Sequence, residues 1–154
     1  MPPRVAYVDV LVLRGAGPSL EILCLRRGPQ GRSPGSWEAV HGHIDPGETA
    51  VATARRELLE EAGAESERLY NLSRVESFYR HTTDEVVLIP VFAAFLRAGA
   101  EVRLSPEHDE FQWLSPEQAR ARMTWPRVRR EIDDAMGLLG SGGAGALEDM
   151  LRVV

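Results

Sequence analysis

Gly42-His43-Ile44-Asp45-Pro46-Gly47-Glu48 runs directly into Thr49-Ala-Val-Ala-Thr-Ala-Arg-Arg-Glu-Leu-Leu-Glu-Glu-Ala-Gly-Ala64. Pro46 and Gly47 make the first part of this stretch a loop. From about Thr49 to Ala62 it holds Ala, Leu, Arg and Glu with no Pro or Gly, which predicts a helix, and Gly63 is placed to stop it. Val51, Ala54, Leu58 and Ala62 recur at helical spacing and give the helix a narrow apolar stripe for packing on a sheet. Glu57, Glu60 and Glu61 stand at i, i+3 and i+4, so their carboxylates crowd one side. Like charges at that spacing repel, and a cation bound between them would turn the repulsion into coordination. Oxygen ligands alone select a hard ion such as Mg²⁺, with Mn²⁺ as a substitute. Glu48 lies just ahead of the helix, where the glycine-containing loop would fold it back towards the same group.

Working outward towards the N-terminus, Arg4 to Arg14 reads as a strand, Gly15 to Ser19 as a turn and Glu21 to Arg27 as the returning strand. A polar loop, Gly28 to Gly35, leads to a short apolar piece, Trp37 to Val40, and a second loop then runs from His41 to Glu48. Towards the C-terminus, Leu69 to Tyr79 and Val86 to Leu96 read as strands joined by the polar segment Arg80 to Glu85. Pro90 cannot donate to a ladder, so it is expected at a sheet edge or a bulge. Glu110 to Leu114 reads as a short strand. Ser115-Pro116-Glu117-Gln118 then carries an N-cap serine, a proline at the first helical position and a glutamine at the third. Pro126 opens a last helix whose Val128, Ile132, Ala135 and Leu139 share a face, and Gly140 ends it. Residues 1–140 thus read as one domain and residues 141–154 as a flexible Gly- and Ala-rich spacer with an apolar tail. Strands that flank and precede two or three helices predict an α/β fold with a mixed sheet between helical layers.

The chain has 154 residues, enough for one domain with its own core. Its formal charge of −5 gives no basic footprint for coating a nucleic-acid polymer. The apolar run Val5 to Leu13 contains Asp9 and is too short to span a bilayer, so no membrane association is expected. No hydrophobic segment with a cleavage site follows Met-Pro-Pro-Arg, and cytoplasmic residence is the expectation. Cys24 is the single cysteine, which excludes an intrachain disulfide and a cysteine-built zinc site. Its neighbours Ile22, Leu23 and Leu25 mark it as a buried strand residue rather than a nucleophile.

A run of glutamates is ordinarily a solvated helix face. Here the glutamates sit in a frame with Gly42, Glu48, Arg56, Leu58 and Gly63 at fixed stations. The segment resembles the Nudix box, G-x5-E-x7-R-E-U-x-E-E-x-G-U with U a bulky aliphatic residue, and matches it everywhere but the last position, where Ala64 is smaller than usual. That departure thins a packing contact and removes no ligand. The resemblance implies an α/β/α sandwich around a mixed β-sheet, the Nudix fold, extending over roughly Val5 to Leu139. It also implies that Glu57, Glu60 and Glu61 hold the metal ions, with Glu48 joining the metal site through a metal-bound water or fixing Arg56. Arg56 would then be structural, bridging to Glu48, while Gly42 and Gly47 give backbone freedom in the loop and Gly63 stops the helix.

The resemblance further implies a catalytic carboxylate outside the box. Glu107-His108-Asp109-Glu110 precedes Trp113-Leu114 in a pattern similar to that of members acting on nucleoside triphosphates or dinucleoside polyphosphates, and Glu107 is the first candidate, Glu110 the second. The competing reading is an acidic surface loop. For the substrate, Arg26 and Arg27 end a strand where guanidinium groups would clamp phosphate. Trp37, Tyr79 and Phe78 offer rings for stacking on a base, and His81 and His43 offer contacts to phosphate or ribose. The expected activity is Mg²⁺-dependent hydrolysis of a nucleoside diphosphate linkage, foremost a nucleoside triphosphate giving monophosphate and pyrophosphate. A dinucleoside-polyphosphate or nucleotide-sugar hydrolase stands next, followed by a non-catalytic nucleotide sensor. Prenyl diphosphate isomerisation ranks last, since Cys24 is poorly placed as its thiol. The tail from Leu147 to Val154 is expected to dock on the domain or on a partner subunit, where it would offer a homodimer contact.

Overall fold

The computed structural model describes residues 1–154. Its strands are β1 (Arg4–Val5), β2 (Tyr7–Arg14), β3 (Glu21–Arg27), β4 (Trp37–Glu38), β5 (Val40–His43), β6 (Arg68–Arg80), β7 (Glu85–Phe95) and β8 (His108–Leu114). The α-helices are α1 (Ala50–Ala62), α2 (Pro116–Arg122), α3 (Pro126–Leu139) and the short α4 (Glu148–Leu151).

β2 organises the sheet. Its full apolar run pairs in parallel with β7 from Asp9↔Val91 to Leu13↔Phe95. On its other side the first half pairs antiparallel with β5 and the last two residues with β3. β3 continues the sheet through β4 and β8, β6 lies on the far side of β7, and the short β1 pairs in parallel with the first residues of β7. Parallel and antiparallel pairs coexist, as expected for a mixed sheet.

Side chains alternate across each strand, so the sheet builds two cores. Val8, Val10 and Val12 of β2 join Val40, Ala54, Leu58 and Ala62 on the α1 side. Leu11 and Leu13 join Ile22, Cys24, Tyr70, Val128, Ile132, Ala135 and Leu139 on the side of α2 and α3. The result is an α/β/α sandwich. Burial pushes the Cys24 thiol up to about 12, which leaves it an inert core residue.

Local chemistry sets the helix ends. Thr49 caps α1, its side chain accepting from Ala52 N–H at 3.1 Å, and Gly63 closes it at φ +67°, a conformation only glycine adopts freely. At α2 the Ser115/Gln118 capping box is formed in both directions. Pro90 lies inside the sheet rather than at an edge, opposite Val75 where the β6–β7 register shifts, so the bulge half of the expectation holds. One reading of the sequence needs correction: His41 to His43 belongs to strand β5 and not to a loop. Val-His-Gly-His lacks an apolar alternation, and Tyr7–Val10 of β2 supplies the pairing that makes it a strand.

After α3 the chain turns through Gly142 and packs back on β6. Val153 N–H donates to Leu69 O at 2.8 Å, Tyr70 O–H donates to Glu148 Oε1 at 2.6 Å, and Leu151 is buried in the α3-side core.

Candidate active site

Pairing of β5 with β2 lays the strand under the C-terminal half of α1, and Gly42 is the point of contact. A Cβ at Gly42 would collide with the Glu57 side chain, so the absence of a side chain there is what lets the carboxylate lie on the strand. Glu61, one turn further along, is buried, and its Oε2 accepts from His41 N–H at 3.3 Å. Burial first, and then the neighbouring Glu57 carboxylate, push Glu61 well above the usual carboxylate range. Glu38 and Glu107 add to that effect.

Arg56 sits at the centre of a second set of contacts. Its Nε donates to Glu48 Oε2 at 2.8 Å and its Nη2 to Glu48 Oε1 at 2.9 Å, a bidentate pair. Nη1 reaches Glu57 Oε1 at 2.8 Å and Glu60 Oε2 at 3.2 Å, and Nη2 also reaches the carbonyl of His43 at 2.9 Å. Hydrogen bonds from Arg56, Thr53 and the Asp45 N–H hold the Glu48 carboxyl at about 2. Gly47 turns the intervening loop at φ +82°.

The three helix carboxylates therefore do not form one ring. Glu57 lies between the other two, adjoining Glu61 on the strand side and sharing Arg56 with the outward-facing, 55% exposed Glu60. This donor set fits a divalent ion. It is all oxygen, it is crowded around a glycine cradle, and it contains a buried carboxylate with no arginine in salt-bridge contact.

The substrate candidates are more dispersed. Arg26 is engaged by Asp109 at 2.9 Å and Glu110 at 3.1 Å. Arg27 donates to Glu38 Oε1 at 3.1 Å and to the Arg32 carbonyl at 2.6 Å. Trp37 is half-buried against the α3-side core with Arg122 over its ring at 4.8 Å. Tyr79 and His81 lie at the β6–β7 hairpin, both exposed; Tyr79 donates its O–H to Asp84 at 2.8 Å, and no hydrogen bond ties either residue to the glutamates. Phe78 is half-buried near Tyr7, whose ring stacks on His41 at 4.9 Å and meets His43 edge-on at 5.2 Å.

Two buried polar groups were not foreseen from the sequence. Glu38 and His108 form a bonded pair, Nε2 to Oε1 at 2.8 Å, beside Glu61. The signal for Glu38 was a charge inside an otherwise apolar stretch. Across the sheet, Asp9 accepts from His41 Nδ1 at 2.6 Å and Arg127 Nε at 2.8 Å, and Glu131 is buried nearby with both oxygens unpartnered. Burial opposes the Asp9 charge, yet His41 and Arg127 hold its carboxyl well below the usual range, while burial and Asp9 push Glu131 well above it.

Comparison with known proteins agrees with this geometry. The family model described as the NUDIX domain matches residues 3–135. An octanoyltransferase of Myxococcus xanthus is 30% identical over 141 residues, covering 87% of this chain and 37% of that protein. The NAD-capped RNA hydrolase NudC of Deinococcus radiodurans is 33% identical over 144 residues, covering 92% of this chain and 49% of its own length. The chain thus spans half or less of these two relatives. A structure of a C. elegans Ap4A hydrolase binary complex superposes with a TM-score of 0.71 over 86% of this chain and 96% of that one, at 24% identity, a likeness of fold. No helix is long and apolar enough to cross a membrane. With a domain match over most of its length and the box residues gathered between β5 and α1, this chain belongs to the Nudix hydrolase family.

Proposed function

We propose that the chain hydrolyses a phosphoanhydride linkage in a nucleotide, with Mg²⁺ as its ion and a nucleoside triphosphate as its first substrate class, releasing monophosphate and pyrophosphate. The observation that supports this most directly is the placement of Glu57 over Gly42 with Glu61 buried beside it. Glu57, Glu60 and Glu61 would hold the metal ions, Glu57 with Glu61 on the strand side and Glu60 on the outer side; when bound, such ions neutralise phosphate charge and lower the pKa of an attacking water. Mn²⁺ would substitute. Glu48 and Arg56 are positioning residues, because their bidentate pair fixes the loop 43–48 against the helix. Gly42, Gly47 and Gly63 serve the backbone.

Glu107 is the candidate general base. It is exposed, and its backbone is anchored by Gly28 N–H donating to its carbonyl at 3.0 Å, so its side chain is free to face a substrate. Arg26, Arg27, Trp37, Tyr79 and His81 remain the substrate-contact candidates, with one distinction. Arg26 would have to exchange its half-exposed acidic partners for phosphate, whereas Arg27 already serves the buried Glu38. A dinucleoside polyphosphate is the second substrate class, with the exposed Tyr79 and His81 as candidate contacts for its second nucleoside. Residues 141–154 are proposed as a tail appended to the domain of residues 1–140, and its outer residues Leu147 and Met150 remain exposed for a partner copy.

The test is incubation of the purified protein with Mg²⁺ and a panel of nucleoside triphosphates, dinucleoside polyphosphates and nucleotide sugars, with products identified by mass. Hydrolysis in ¹⁸O-water should label a phosphate product. Label at a sugar carbon, or turnover unchanged in Glu57→Gln, would refute the proposal.

A further inference from the structure

His108 is fully buried at the start of β8, and its two ring nitrogens have different fates. Nε2 lies 2.8 Å from Glu38 Oε1. Glu38 is in turn gripped by Arg27 at 3.1 Å. In the neutral ring, an Nε2–H donating to a carboxylate that Arg27 also grips leaves a lone pair on Nδ1. That lone pair has no partner in the protein, although it is shut away from solvent. It faces Glu61 Oε1 at 3.8 Å, too far for a hydrogen bond.

Leaving a buried ring nitrogen unsatisfied is costly, and native structures rarely do it without a reason. Two features fit a ligand. Donors each about 2.1 Å from a shared ion stand at most about 4.2 Å apart, and the Nδ1–Oε1 separation falls inside that limit. Metal-ligating histidines also commonly donate their other N–H to a carboxylate, which fixes ring and tautomer; Glu38, braced by Arg27, stands where that carboxylate belongs. Glu38, Glu61 and His108 offer one donor atom each within 4.8 Å of one another.

We propose that His108 Nδ1 is a nitrogen ligand for an ion shared with Glu61, so that this site takes a borderline divalent metal such as Co²⁺ or Zn²⁺ in addition to the hard ions that the helix carboxylates select. The inference rests on Glu61 being a metal ligand, as proposed above. Glu38 and Arg27 orient the ring.

Pulsed electron paramagnetic resonance of Mn²⁺ bound to the full chain reads nitrogen coordination without reference to turnover. The wild type is expected to show imidazole ¹⁴N coupling, shifted to the ¹⁵N signature when histidine is ¹⁵N-labelled. His108→Gln retains a donor for Glu38 but has no nitrogen lone pair, so the coupling should vanish and Co²⁺ affinity fall by about tenfold or more relative to Mg²⁺. His108→Asn serves the same purpose if the glutamine variant does not fold. Bound Mn²⁺ without nitrogen coupling in the wild type, or coupling that persists in the variants, overturns the proposal. Mn²⁺ affinity unchanged in Glu61→Gln would instead overturn the ligand assignment on which it rests.

Discussion

Arg56 and Glu48 are joined by two parallel hydrogen bonds, Nε to Oε2 at 2.8 Å and Nη2 to Oε1 at 2.9 Å, across the junction between the 43–48 loop and α1. The same guanidinium touches Glu57 and Glu60, so one side chain sets both the loop and the neighbouring carboxylates.

Arg56→Gln and Glu48→Gln should therefore each lower turnover by about 10²-fold, the order expected when reacting groups are misplaced. The double variant should lose little more than either single one, because both remove the same link. Steady-state kinetics on the three variants would show this. The pair also has an acid signature. The Glu48 carboxyl is held at about 2 against an ordinary 4.5, so its contribution to stability is present above the ordinary value and lost as pH falls through about 2. The difference in denaturant midpoint between wild type and Glu48→Gln should persist at neutral pH and close between those two values.

Gly42→Ala tests the cradle. The added methyl meets the Glu57 side chain, which must leave the strand. Mn²⁺ affinity and turnover should fall together, while the melting temperature changes little because a flexible side chain yields rather than the backbone.

The two leucines in the middle of α1 point in opposite directions. Leu58 is 1% exposed and Leu59 is 51% exposed. Leu58→Ala should cost about 2–5 kcal/mol in urea unfolding. Leu59→Ala should stay within about 0.5 kcal/mol. Equal effects would mean that the helix presents another face to the sheet.

Glu131 gives a test on the far side of the sheet. Burial, then the Asp9 charge, raise its pKa, so the stability it contributes is complete below the ordinary glutamate value and is lost as pH rises through the raised one. Glu131→Gln cannot ionise. Thermal unfolding should show the variant gaining on the wild type as pH rises from 4 to 8, and a constant difference would contradict the assignment.

The contrast between α1 and the buried polar pairs explains what could be read from sequence. Helix α1 was legible because cap, stripe, stop residue and carboxylates all lie within one short window and obey one period. The start of α2 was legible for the same reason. Strand β5 was not, since Val40–His43 becomes a strand only through β2, thirty or more residues away. Glu38 and His108 are separated by 70 residues, and their bond depends on β3 lying between β4 and β8. Asp9, His41 and Arg127 meet in the same way, across three elements. Local pattern located the carboxylates; only the long-range pairing reveals which histidines and arginines stand beside them.

A crystal structure grown with Mn²⁺ and recorded at its absorption edge locates the ion directly. An anomalous peak is expected about 2.2 Å from oxygens of Glu57 and Glu61 beside Gly42. Those carboxylates ordered but apart, with no peak between them, would contradict it.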